Sequence, residues 1–152
     1  MNRMIKNASI CGIVVCFFLC LFTAAPLYAG DTVEQVISNI DQILQENPLP
    51  AGKNAQMIKI AEDDTMTLYL LRATEGAEVK PHIHKTHDET VYVIKGMAQM
   101  LINDKWVDLK PGSIHFNPMG KVHALKYMGT EPLVGLSIFT PAMREVDRLF
   151  MK

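Results

Sequence analysis

Apolar and polar positions along the chain fall into three regimes. Ile10 to Phe22, "ICGIVVCFFLCLF", is a continuous apolar run between a short basic start at Arg3 and Lys6 and the segment "TAAPLYAGD". A basic, then apolar, then small-residue order is that of a secretory signal, and it places a cut after Ala29, with Leu27 at the −3 position. The alternative is an uncleaved anchor, but the run is short for a membrane span and Pro26 interrupts its end. A lipid-attachment site at Cys20 fits less well, because Leu19 stands before it where a small residue is required. Next, Val33, Val36, Ile37, Ile40, Ile43 and Leu44 recur at helical spacing and predict an amphipathic helix. Asp31 or Thr32 is placed to cap it, and the prolines of "ENPLPAG" end it.

From Ala55 the period changes to two. "QMIKIAE", "MTLYLLRA", "ETVYVIKG", "AQMLIND", "KWVDLK", "SIHFNP", "VHALKY" and "LVGLSIF" are short runs rich in β-branched and aromatic residues. Turn signals separate them: Glu75-Gly76, Asn103-Asp104, Pro111-Gly112 and Gly129-Thr130. Many short strands with no helix between them predict an all-β sandwich or barrel. The final "PAMREVDRLFMK" reads as a short helix or tail. The predicted organisation is therefore a signal peptide over 1–29, a helix and linker over 30–54, a β-barrel over 55–140 and a short C-terminal helix or tail over 141–152.

Composition changes this picture in two places. All three cysteines, Cys11, Cys16 and Cys20, lie in the leading apolar segment, so a cleaved chain has neither a disulfide framework nor a thiol nucleophile. About 120 residues then remain to build a core without staples. Cleavage also removes Arg3 and Lys6 but no acid, so a net charge of −1 becomes more negative by two. No basic stripe is visible, which excludes nucleic acid as a partner on charge grounds. There is no Gly-rich phosphate loop and no Gly-x-Ser-x-Gly elbow.

One stretch concentrates chemistry. "PHIHKTHDETVYVIKG", Pro81 to Gly96, holds three of the five histidines and two adjacent acids. His82 and His84 are two apart, so a strand puts both on one face. Glu89 opens the next strand, and its face continues through Val91 and Val93 as a barrel interior would. An unpaired carboxylate there is very costly, and a cation shared with His82 and His84 would satisfy it. His123 lies on a later strand, and if it faces inward, three imidazoles and one carboxylate converge. That donor set suits one divalent transition metal ion: Mn, Fe, Ni, Zn, Co or Cu.

The spacing is specific. Gly76-x5-His82-x-His84-x4-Glu89-x6-Gly96 resembles the first motif of the cupin superfamily, and Gly112-x5-Pro118-x-Gly120-x2-His123 resembles the second. The second motif usually closes on Asn, where this chain has Tyr127, at a strand end away from the ligand positions. The resemblance covers Gly76 to Tyr127. It implies a small double-stranded β-helix, or jelly roll, with His82, His84, Glu89 and His123 as metal ligands inside it. It also implies a homodimer that shares edge strands.

The remaining candidates read less sharply. His87 and Asp88 are expected in a solvated turn, with a pocket-rim acid/base as the alternative. His115 in "SIHFN" is expected to face outward if Ile114 and Phe116 face the core. Trp106 is expected to pack on a hairpin, and the methionines to fill the core, since their spacing is irregular. Tyr69, Tyr92 and His87 are the candidate acid/base groups. The expected function is an exported, metal-dependent chemistry of oxygenase, isomerase or lyase type on a small molecule. A non-catalytic small-ligand binder and a metal-stabilised structural protein are the other readings. Localisation would be periplasmic or secreted, with no membrane span left after cleavage.

Overall fold

The computed structural model describes residues 36–145 and 147–151. The expected signal peptide and the Asp31 or Thr32 cap lie outside them. Among the described residues one helix, α1 (Ile40–Glu46), precedes ten strands: β1 (Ala55–Glu62), β2 (Thr67–Ala73), β3 (Glu78–His84), β4 (Asp88–Lys95), β5 (Ala98–Ile102), β6 (Lys105–Leu109), β7 (Ile114–Asn117), β8 (His123–Tyr127), β9 (Leu133–Thr140) and β10 (Arg148–Phe150).

The helix begins later than its apolar stripe suggests. Asn39, in an extended conformation, accepts from the backbone N–H of Asp41 at 2.9 Å and of Gln42 at 3.2 Å, which makes it the N-cap. Val36 and Ile37 therefore lie outside the helix and are exposed. Arg72 of β2 fastens the other end. Its guanidinium donates to the carbonyls of Leu44 and Asn47, at 3.3 and 2.5 Å, and to the side chain of Gln56 at 2.6 Å. A cation on the last carbonyls of a helix satisfies acceptors that have no partner within it.

The strands form two five-stranded antiparallel sheets, ordered β1-β2-β9-β4-β7 and β10-β3-β8-β5-β6. The period-two pattern explains the sandwich. On β4, Val91 and Val93 are buried while Tyr92 between them is exposed. Their inner face meets Met100 of β5 and Leu125 of β8, with Ala73, Ala98, Leu109 and Leu133 completing the core. Leu70, Leu133 and Phe139 are fully buried, and each such side chain contributes about 1.5–3 kcal/mol. Asn103 and Asp104, both with positive φ, make the two-residue turn between β5 and β6, as the Asn-Asp pair predicts. Trp106 follows on β6 and sits beneath the Lys126 ammonium, 4.2 Å from the ring centroid.

Two expectations change. The C-terminal segment, read as a short helix or tail, contributes a strand: Arg148–Phe150 pairs antiparallel with β3, placing Arg148 opposite His84 and Phe150 opposite His82. An open sheet edge next to β3 supplies hydrogen-bond partners that a solvated helical turn would lack. The register of β7 is also opposite to the expectation. Ile114 and Phe116 point out, and His115 points in, because β7 pairs with β4 so that His115 sits beside Val91 and Asn117 beside Glu89.

Gly96 tests the packing of the sheets. Its φ is +77°, and a Cβ there would lie 2.6 Å from both Leu133 Cα and the Pro132 carbonyl oxygen. Gly112 has a φ of +86° but open space around it. Gly96→Ala is expected to lower stability by more than about 2 kcal/mol, and Gly112→Ala by only about 1 kcal/mol from its backbone conformation. Urea unfolding midpoints would measure both; equal losses would contradict the close approach at Gly96.

Candidate metal centre

The site is built from β3, β4 and β8. His82 and His84 project from one face of β3, and the ladder sets His82 directly opposite His123 of β8. Pro81, which has no N–H to donate, precedes His82 where the register of the β3–β8 pair shifts. A loop carries the chain into β8, and two bonds hold it. Gly120 N–H donates to the His84 carbonyl at 2.8 Å, and Met119 N–H donates to Asp88 Oδ1 at 2.7 Å. Asp88 is therefore a loop anchor and not a solvated turn residue.

The three imidazoles are buried, with ring centroids 4.2 Å apart for His82–His123, 5.2 Å for His82–His84 and 5.3 Å for His84–His123. One ligand atom from each lies within 4.8 Å of the others. Every ring is held through Nδ1. His82 Nδ1 donates to the Lys80 carbonyl at 2.8 Å, His123 Nδ1 to the Lys121 carbonyl at 3.0 Å, and His84 Nδ1 to the carboxylate of Asp147 at 2.9 Å. These partners only accept, so the neutral ring carries its proton on Nδ1 and turns a lone pair on Nε2 toward the centre.

Glu89 completes the group. Its Oε2 lies 3.2 Å from His123 Nε2 and 3.8 Å from His84 Nε2. Its Oε1 accepts from the Ser137 hydroxyl at 2.5 Å, and Asn117 donates to Oε2 at 3.3 Å. Burial opposes ionisation of Glu89; a proton shared with the His123 imidazole and the hydrogen bond from the Ser137 hydroxyl outweigh it and bring the pKa down to about 2. When the rings are neutral and protonated on Nδ1, no such proton lies between them: the carboxylate then faces imidazole lone pairs, and His84 Nε2 and His123 Nε2 are buried without a donor to satisfy them. Such an arrangement of acceptors is satisfied by a cation. The four side chains singled out in the sequence are therefore brought together, and their donor set fits a divalent metal ion.

Other candidates separate from the centre. Tyr92 points to the outer face of β4, and Tyr69 packs edge-on against Phe139, with centroids 5.9 Å apart. His87 is buried rather than solvated. Its Nε2 lies 3.2 Å from the Ala142 carbonyl, and its Nδ1 lies 2.8 Å from the Thr86 hydroxyl and 3.0 Å from the Asp147 carboxylate. His115 Nε2 contacts the side-chain oxygen of Asn117. Asp147 escaped sequence reasoning altogether. Burial opposes its ionisation, yet hydrogen bonds from His84 and Thr86 hold its pKa well below the usual carboxylate range. Nothing local marks it, because 63 residues separate it from His84. A cavity of about 40 Å³ opens at the centre, lined by His82, Glu89, His123 and Ser137, by apolar residues including Met57, Val79 and Met100, and by Arg148 of β10.

Comparison with known proteins agrees with this architecture. The family described as Cupin domain matches residues 69–139. An uncharacterised protein of Aquifex aeolicus is 32% identical over 107 residues, which cover 70% of this chain and 84% of that protein. A glucose-6-phosphate isomerase of Thermococcus onnurineus is 31% identical over 111 residues, or 65% of this chain; the chain spans 59% of that enzyme's length. Among solved structures, a conserved protein with a double-stranded β-helix domain from Klebsiella pneumoniae superposes with a TM-score of 0.61 at 25% identity, covering 74% of this chain and 88% of the other. The fold and its inward-facing histidine cluster define a double-stranded β-helix barrel. The chain belongs to the cupin family.

The buried imidazoles set a pH dependence. Burial chiefly brings the pKa of His82 down from 6.5 to about 4. The unfolded chain therefore takes up this proton first, and the contribution of neutral His82 is complete above pH 6.5 and lost as pH falls from there toward 4. Glu89 and Asp147, with lowered pKa values, add a second loss only below the ordinary carboxylate range, about 4.5. The melting temperature of metal-free protein is expected to be flat above pH 7 and to decline from pH 6.5 downward. A constant value between pH 7 and 5 would contradict the burial of neutral His82.

Proposed function

We propose that His82, His84 and His123, through Nε2, and Glu89, through its carboxylate, hold one divalent transition metal ion, and that the protein carries out metal-dependent chemistry on a small molecule. The observation that carries this reading is the pair of buried, unpartnered Nε2 atoms turned toward an ionised carboxylate. A bound ion would supply Lewis-acid or redox chemistry at an oxygen of the substrate. The chain's own residues do the rest. Lys80, Lys121 and Asp147 fix the tautomer and aim of the three rings. Ser137 and Asn117 hold the Glu89 carboxylate in place. The glucose-6-phosphate isomerase similarity makes an isomerase-type reaction on a small oxygenated substrate the favoured class within this reading.

Metal content after purification and dialysis tests the assignment. His82→Ala, His84→Ala and His123→Ala are each expected to lower affinity by orders of magnitude, and Glu89→Gln to weaken it. Asp147→Ala, which removes the partner of His84 Nδ1, is expected to weaken metal binding about 10- to 100-fold. His87→Ala should leave the stoichiometry near that of the unaltered protein. Loss of metal in His87→Ala with retention in His84→Ala would reverse the assignment.

Export and homodimerisation belong to the same proposal. The basic, apolar and small-residue order ending at Ala29 supports export to the periplasm or the medium. The exposed Tyr92, Ile114 and Phe116 beside the β7 edge support pairing of two copies. Exported protein is expected to start near Gly30 and to have the mass of a dimer in light scattering. Arg3 and Lys6 retained in a membrane fraction would remove the first statement, and a monomer mass the second.

A further inference from the structure

Among the described residues that line the metal cavity, Arg148 is the one cation. It reaches the cavity because β10 pairs with β3 and sets Arg148 opposite His84, so both side chains lie on the inner face. Its Nε is buried with no hydrogen-bond partner, and among the described residues its guanidinium forms no ion pair. A buried donor left unmade costs about 1–3 kcal/mol. Glu89 is the only acid among the described residues that line the cavity, and the carboxylate of Asp147 is engaged by His84 and Thr86. With a divalent ion in place, Glu89 offsets one of its charges, and the remaining positive charge stands in one small chamber with that of Arg148. A chamber of that sign takes an anion, and a guanidinium matches the two oxygens of a carboxylate in a planar, bidentate contact.

The lining narrows the class. The apolar wall of Met57, Leu71, Val79, Met100 and Leu125 favours a short carbon chain over a polyol. Resting on the metal assignment above, we infer that Arg148 recognises the carboxylate of a small 2-oxo or 2-hydroxy acid, whose neighbouring oxygen faces the metal.

Calorimetric titration of the zinc-loaded full-length chain with pyruvate, glycolate, acetate and inorganic phosphate tests this. Pyruvate and glycolate are expected to bind, and acetate, which lacks the neighbouring oxygen, to bind more weakly. Arg148→Met is expected to weaken pyruvate and glycolate binding about 10- to 100-fold while keeping one zinc per chain, because a charge-assisted hydrogen bond is lost and no ligand is touched. Arg148→Lys should recover part of the affinity. Unchanged binding in Arg148→Met overturns the inference, as does Arg148-dependent binding of phosphate in preference to the carboxylates. Failure of every probe to bind a fully zinc-loaded chain overturns the substrate class and leaves the metal assignment standing. Failure of the unaltered chain to take up zinc overturns the metal assignment and this inference with it.

Discussion

A largely buried carboxylate, that of Glu89, sets the terms for the interior of this barrel. Glu89 begins the inward row of β4 that continues through Val91 and Val93, so its charge is carried into the same face that forms the apolar core. The surrounding structure answers that charge in layers. Ser137 and Asn117 donate to it from the strands on either side, β9 and β7. Imidazole Nε2 atoms of His84 and His123 approach it from the opposing sheet. The two sheets therefore meet through a polar centre at one place and through apolar side chains elsewhere, and the polar centre specifies which strands must face each other.

The imidazoles would not be arranged this way without contacts behind them. Two are aimed by carbonyls only two residues back along their own strands or loop, Lys80 for His82 and Lys121 for His123. The third is aimed by Asp147, which arrives from the chain's end and also gathers the N–H and hydroxyl of Thr86. The short strand β10 thus does two jobs. It covers the open edge of β3, and it delivers Asp147 and Arg148 to opposite aspects of the site, one behind His84 and one into the cavity. Phe150, across from His82 with ring centroids 5.9 Å apart, adds apolar cover at the same edge.

Much of this was legible in the sequence, for a physical reason. Strand period and turn chemistry are local, so alternation at Val91 and Val93, the Asn103-Asp104 turn and the spacing of His82 and His84 on one face follow from neighbours a few residues away. The four converging side chains were likewise identifiable, because the two cupin motifs pair ligand-type residues with the glycines and proline that shape the turns beside them. What escaped was decided by pairing between distant segments. His115 and Ile114 exchange faces on a one-residue change of register, and only the ladder with β4 sets that register. The helix start moved to Asn39 because its side chain meets the N–H groups of Asp41 and Gln42. His87 lies in what reads as a polar turn, yet Thr86, Ala142, Asp147 and Phe139 bury it, and Ala142 and Asp147 come from the chain's end. The sequence by itself determined the strands, the turns and the row of ligand-type side chains, since these depend on local geometry. Only the tertiary structure decided that the last strand would add beside β3 and bring Asp147 and Arg148 to the site, since strand addition is settled by which sheet edge is left open in the folded chain.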